Sequence, residues 1–131
     1  MLANAGISIT LPVVDLERAK RFYGETLGLR AVASPIEEMA SEMAFFEGRE
    51  GLPIALYRRD TPTTADHTAV AFEVDDLDGE MQGLSERGVV FEQYDMPGLK
   101  TDERGIASLG SWRGAWLKDS EGNILGIGEN E

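Results

Sequence analysis

The sequence contains no cysteine and one histidine, His67. Without cysteine there is no disulfide, no thiolate nucleophile and no thiolate-held metal. That composition fits an intracellular compartment. No apolar run approaches the roughly 18 residues of a membrane-spanning helix. The start of the chain lacks the charged, apolar and small-residue series of a signal segment. A cytoplasmic protein is expected. Basic residues are also scarce, with 12 Lys and Arg against 24 Asp and Glu and a net charge of −12. Such a field repels phosphate, so neither nucleic acid nor an anionic membrane is expected as a partner. There is no nucleophile elbow, no phosphate loop, and no histidine–acid pair at a supporting spacing. Asp75 and Asp76 are adjacent carboxylates in sequence only, because one caps a helix and the other points elsewhere.

What is present is a repeat. In the first copy Ile7, Ile9 and Leu11 alternate with Ser8 and Thr10, the period-2 pattern of a strand. Asp15 precedes a helical pattern and reads as its N-cap. Leu16, Ala19, Phe22 and Tyr23 form one apolar stripe, with Glu17, Arg18, Lys20 and Arg21 on the other face. Gly28 follows the helix, where a left-handed cap costs glycine nothing. The second copy has Asp76 for Asp15, a stripe of Leu77, Met81 and Leu84, and a stop at Gly88, at an offset of 61 residues. A repeat of that length is a whole supersecondary module.

The remaining strands are expected at 29–33, 42–47, 53–58, 68–74, 89–94, 112–118 and 124–128. The second helix is expected over 77–87, weakened at Gly79 and Gly83 by about 1 kcal/mol each relative to alanine. Residues 95–111 read as a long loop with room for a short strand at 106–109. Loops of this length are often functional. A turn is expected at 48–51 and a tight hairpin at 119–123. At 131 residues the chain is one α+β domain. It is built of two βαβββ modules, 6–59 and 67–130, joined by a polar linker at 60–66.

The segments VVDLERAKRFYGETLGL, AFEVDDLDGEMQGLSERGVVFE and WLKDSEGNILGIGE carry a resemblance over nearly the whole chain. They resemble the vicinal oxygen chelate superfamily, with its glyoxalases, extradiol dioxygenases, fosfomycin-resistance enzymes and bleomycin-resistance proteins. The resemblance implies paired half-barrel sheets around a ligand cavity, and homodimers. Metal-dependent members of that family place four ligands on inward strand positions, which fall here on Ser8, Ala55, Ala69 and Gly126. Ala and Gly have no donor atom, and a lone serine hydroxyl is a poor ligand for a transition metal. No metal and no cofactor are therefore expected. His67, two residues before Ala69, reads as a solvated linker residue. Glu42, Glu47, Glu73 and Glu92 lie in strands, and Glu73 is assigned to the face away from Ala69.

Small residues at those positions leave room. Ser8, Thr10, Ala55, Ala69, Ala71 and Gly126 are expected to line a cavity, with His67 beside it and Phe46, Tyr57, Tyr94, Trp112 and Trp116 as its aromatic walls. Core packing would account for such rings as well. Trp112 and Trp116 share strand parity, so both face the cavity or both pack on a helix. Arg58, Arg113 and Lys118 are the cations placed to meet an acidic ligand. The reading is a metal-free module that binds a small hydrophobic or aromatic molecule. The alternatives are a glyoxalase-type lyase or isomerase, or a dioxygenase, with a displaced or absent metal site, and a structural homodimer with a vestigial cavity.

Overall fold

A computed structural model describes residues 1–49 and 51–130. The expected turn at 48–51 therefore falls partly on Glu50, outside the described residues. The chain divides into two compact units, Met1–Thr64 and Ala65–Glu131.

The first unit contains β1 (Ile9–Val13), α1 (Leu16–Arg21), β2 (Arg30–Val32), β3 (Met43–Glu47) and β4 (Pro53–Arg58). Its sheet runs β1-β4-β3-β2, with β1 parallel to β4 and the other pairs antiparallel. The β1 strand starts two residues later than expected and takes in Pro12. Proline cannot donate to a ladder, and β1 lies at the end of the sheet, where one side of the strand needs no donor. Asp15 caps α1, its Oδ1 accepting from the Arg18 amide at 3.0 Å. The helix then widens into a π turn, Phe22–Thr26, in which the Leu27 amide donates to the Phe22 carbonyl at 2.9 Å. It stops at Gly28, whose φ of 74° is left-handed. Leu16, Ala19 and Tyr23 are buried, together with Leu11, Val13, Ile54, Leu56 and Phe46 of the sheet.

The second unit contains β5 (Thr68–Glu73), α2 (Leu77–Glu86), β6 (Asp95–Met96), β7 (Leu99–Lys100), β8 (Ala107–Leu109), β9 (Trp112–Lys118) and β10 (Ile124–Asn130). Its sheet runs β5-β10-β9-β8, the order of the first unit, again with first and last strands parallel. Leu77, Met81 and Leu84 are buried as the stripe requires. Asp76 caps α2 through the Gly79 amide at 3.1 Å. Glu129 of β10 accepts the Leu77 amide at 2.9 Å, satisfying a second donor of the first turn.

One expected strand is absent. Residues 89–94 form no strand, and the place beside β9 goes to β8. Val90 is 84% exposed, and Val89 and Phe91 on the other side are half-buried without joining a sheet. The run is held instead at single points. The Glu92 amide donates to the Trp116 carbonyl at 2.8 Å, and the Tyr94 amide donates to Thr101 Oγ1 at 2.8 Å. The expected long loop contains a two-residue hairpin, β6–β7, turning at Pro97-Gly98. Asp102 then accepts from the Arg104 and Ile106 amides, both at 2.9 Å, and turns the chain into β8.

The 119–123 hairpin is built on a buried carboxylate. Asp119 Oδ1 accepts from the Glu121 and Asn123 amides, and Oδ2 accepts from the Asn123 side chain, each at 2.8 Å.

Candidate ligand-binding face of the second unit

Strand alternation sorts the sheet of the second unit into two faces. Val70, Leu117, Leu125, Ala115 and Ile127 are buried with the α2 stripe. The other face carries Trp112, Gly114 and Trp116 of β9 and Gly126, Gly128 and Asn130 of β10. Their pairs are Asn130 with Trp112, Gly128 with Gly114, and Gly126 with Trp116. Side chains of directly paired residues project to the same side.

The three glycines set the shape of this face. A Cβ on Gly128 would lie 2.7 Å from Trp112 Nε1 and 3.1 Å from its Cε2 and Cζ2, and a Cβ on Gly114 would run into the same six-membered ring. The Trp112 indole therefore lies across two bare positions. A Cβ on Gly126 would stand 3.4 Å from Trp116 Nε1 and 3.4 Å from Thr68 Cγ2, an ordinary contact. Trp112 and Trp116 sit with ring centroids 6.1 Å apart at 55°, and Tyr94 meets Trp116 edge-on at 5.6 Å and 78°. Both indoles are half-buried.

They line a concavity of about 530 Å³ together with Thr68, Ala71, Glu73 and Gly126. That volume is within the ~300–1,000 Å³ typical of small-molecule sites. Its polar groups are the Thr68 hydroxyl, the Glu73 carboxylate and Asn130, whose Oδ1 accepts from Ser111 Oγ at 3.0 Å.

Two assignments on β5 change. Between Ile124 and Leu125 the pairing advances two residues on β5, from Thr68 to Val70. This bulge brings Thr68 into the concavity, and Ala69 does not line it. Glu73 does line it, opposite Gly128. Its assignment away from the cavity side is corrected: beyond the bulge Ala71 and Glu73 pair with Gly126 and Gly128, and residues two apart on a strand share a face.

The other candidates lie elsewhere. Phe46 is 3% exposed and packs on Tyr23, ring centroids 6.1 Å apart, on the helix side of the first sheet. Thr10 pairs with Ala55 and Ala55 with Phe45 on the opposite side of that sheet. Ala55 is buried and Thr10 exposed. Tyr57 lies under the Arg59 guanidinium at 5.7 Å. Ser8 precedes β1 and borders a shallow dip with Ile7 and Leu52. His67 is exposed, one residue before β5.

The cations named for an acidic ligand are engaged. Arg113 makes a forked contact with Asp78 at 3.1 and 3.2 Å and reaches Glu129 at 3.5 Å. Arg104 joins Asp78 at 2.8 Å. Hydrogen bonds from Arg113 and then Arg104 hold the Asp78 carboxyl below the usual carboxylate range. Arg58 bonds Glu42 at 2.8 Å and Asp60 at 3.3 Å. The Glu42 hydrogen bond is the chief cause of its raised pKa. Lys118 is 3.9 Å from Glu92. The Tyr94 hydroxyl is pushed up from its ordinary value, first by burial and then by the charge of Glu92.

The donor set does not fit the family's divalent metal. Ser8, Ala55, Ala69 and Gly126 offer one hydroxyl between them. Among the described residues no group of three or more His, Asp or Glu is gathered to hold an ion. What the indole face can do chemically is stack on a flat ligand and exclude water from it.

Two tandem βαβββ modules, each with its first and last strands paired in parallel, define a class of repeated-module proteins. The chain belongs to the Glyoxalase/Bleomycin resistance protein/Dioxygenase superfamily, whose family model matches residues 7–124. Solved structures share the fold. A glyoxalase family protein from Bacillus anthracis superposes with a TM-score of 0.75 at 22% identity, over 96% of this chain and 95% of that one. TnmS3, an antibiotic binding protein from Streptomyces sp. CB03234, gives 0.70 at 25% identity over 100% and 99%. The fosfomycin resistance protein FosX from Listeria monocytogenes gives 0.69 at 17% over 95% and 92%. No curated protein matches the sequence.

Proposed function

We propose that this protein binds a small, planar, hydrophobic or aromatic molecule on the indole face of its second unit, without a metal. The observation that carries this reading is the seating of Trp112 over Gly114 and Gly128, beside a half-buried Trp116. Glycines opposite each other in neighbouring strands weaken a sheet, since they add backbone entropy and pack nothing. Here they let an indole lie flat and keep its outer face open to a ligand. The likeness to TnmS3, an antibiotic binding protein, supports binding over turnover. So does a donor set that suits no metal.

Titration with acridine, a planar heteroaromatic, tests this. Saturable quenching of tryptophan emission is expected, with matching heat by calorimetry, and Trp112→Ala should weaken binding by about tenfold. Absence of saturable binding to the wild-type protein would sink the proposal. Equal binding by wild type and Trp112→Ala would move the site elsewhere.

A further inference from the structure

We infer that the ligand of this face is an organic cation, and that Glu73 is the residue that selects its charge. The inference rests on the indole-face reading and adds the ligand's charge to it.

Glu73 is the single ionisable side chain among the residues that line the concavity. It ends β5 opposite Gly128, the glycine over which Trp112 lies, and its side chain is exposed. Among the described residues its carboxylate has no ion-pair or hydrogen-bond partner. The neighbouring carboxylates of this unit are committed: Asp78 to Arg104 and Arg113, Glu129 to Leu77 and Arg113, and Glu92 to Lys118. The same pairs engage Arg104, Arg113 and Lys118, and no Lys or Arg, Arg87 and Lys100 included, is among the residues that line the concavity. An anion arriving at Trp112 would therefore meet an unpaired carboxylate and no free guanidinium or ammonium.

The rings favour the same sign. The face of an indole carries negative electrostatic potential, and tryptophan is the strongest cation–π partner among side chains. Trp112 and Trp116 present two such faces within 6.1 Å. A flat or quaternary cation on them would have its charge over the rings and within reach of Glu73. The net charge of −12 draws cations toward the protein from a distance. That field acts on every part of the surface, so it adds to the arrival rate and not to the choice of site. Local selection is assigned to Glu73.

The test uses three probes of one shape at slightly alkaline pH: N-methylacridinium (cation), acridine (neutral) and acridine-9-carboxylate (anion). Wild-type protein should bind the cation roughly tenfold tighter than the neutral ring, and the anion most weakly. Glu73→Gln, at an exposed position, should remove the cation's advantage over acridine. Glu86→Gln removes the same charge from the end of α2, outside the concavity, and should leave the advantage intact. If all three probes bind wild type equally, the charge inference falls while the indole-face reading stands. If none binds, both fall. If Glu73→Gln and Glu86→Gln reduce cation binding alike, the preference belongs to the overall field and Glu73 is not the selector.

Discussion

The indole of Trp112 occupies the space that a side chain at Gly128 would need, with Nε1 2.7 Å from the position of a Cβ there. The two residues lie on neighbouring strands, and one is small because the other is large. Gly128→Ala should displace the ring, whereas Gly126→Ala, with its nearest contacts at 3.4 Å, should be accepted. Overpacking costs about 1–3 kcal/mol. Thermal melts should show a loss of that size for Gly128→Ala and under about 1 kcal/mol for Gly126→Ala. Near-ultraviolet circular dichroism should change only in the first.

Trp112→Ala should uncover Gly114 and Gly128 together. The loss of a half-buried indole from a partner ring 6.1 Å away costs roughly 1–3 kcal/mol. Denaturant midpoints check this. Trp112→Phe should recover part of it.

Asp119 is 6% exposed and serves three N–H donors in the β9–β10 hairpin. Removing an acceptor strands each buried donor at about 1–3 kcal/mol. Asp119→Ala should therefore cost on the order of 3 kcal/mol by urea unfolding. Asp119→Asn should cost less in the backbone bonds, but it sets an amide against the Asn123 amide.

Asp78 gives the acid limb of stability a defined sign. Its folded pKa is depressed by Arg113 and Arg104 below that of the unfolded chain. The stabilisation is thus present above the unfolded value, near 3.9 for aspartate, and is lost as pH falls through the folded one. Melting temperatures of wild type and Asp78→Asn should differ near neutrality and converge in strong acid. A constant difference at all pH values would show that the contact is not ionic.

The helices and most strands were legible because their signals are local. Asp15 and Asp76 cap within one turn, and the apolar stripes repeat on a 3.6-residue period. The run 89–94 misled because apolar residues suggest a strand without saying whether a sheet has a place for it. That place went to Ala107–Leu109, where a short strand was legible at 106–109, though its pairing with β9 was not. The site was legible in part. Trp112, Trp116 and Gly126 could be placed by parity on β9 and β10, which run without interruption. Thr68 and Ala69 could not, because a bulge in β5 exchanges them and leaves no mark in the sequence. Glu73 needed only the parity count carried out to its end. Gly114 and Gly128 had a readable signal too: glycines in a strand mark a close approach, and a tryptophan two residues away was there to approach.

The glycine floor separates scaffold from recognition. The β9–β10 ladder runs from Trp112 to Lys118 through backbone groups alone, and Gly114, Gly126 and Gly128 add nothing to it but clearance. Under the proposed function, what a ligand meets is decided by a few side chains laid on that floor. Libraries randomised at Thr68, Ala71, Trp112 and Trp116 should therefore yield variants that hold different guests on an unaltered sheet. By the same route, related chains could diverge in what they hold while their backbones stayed superimposable.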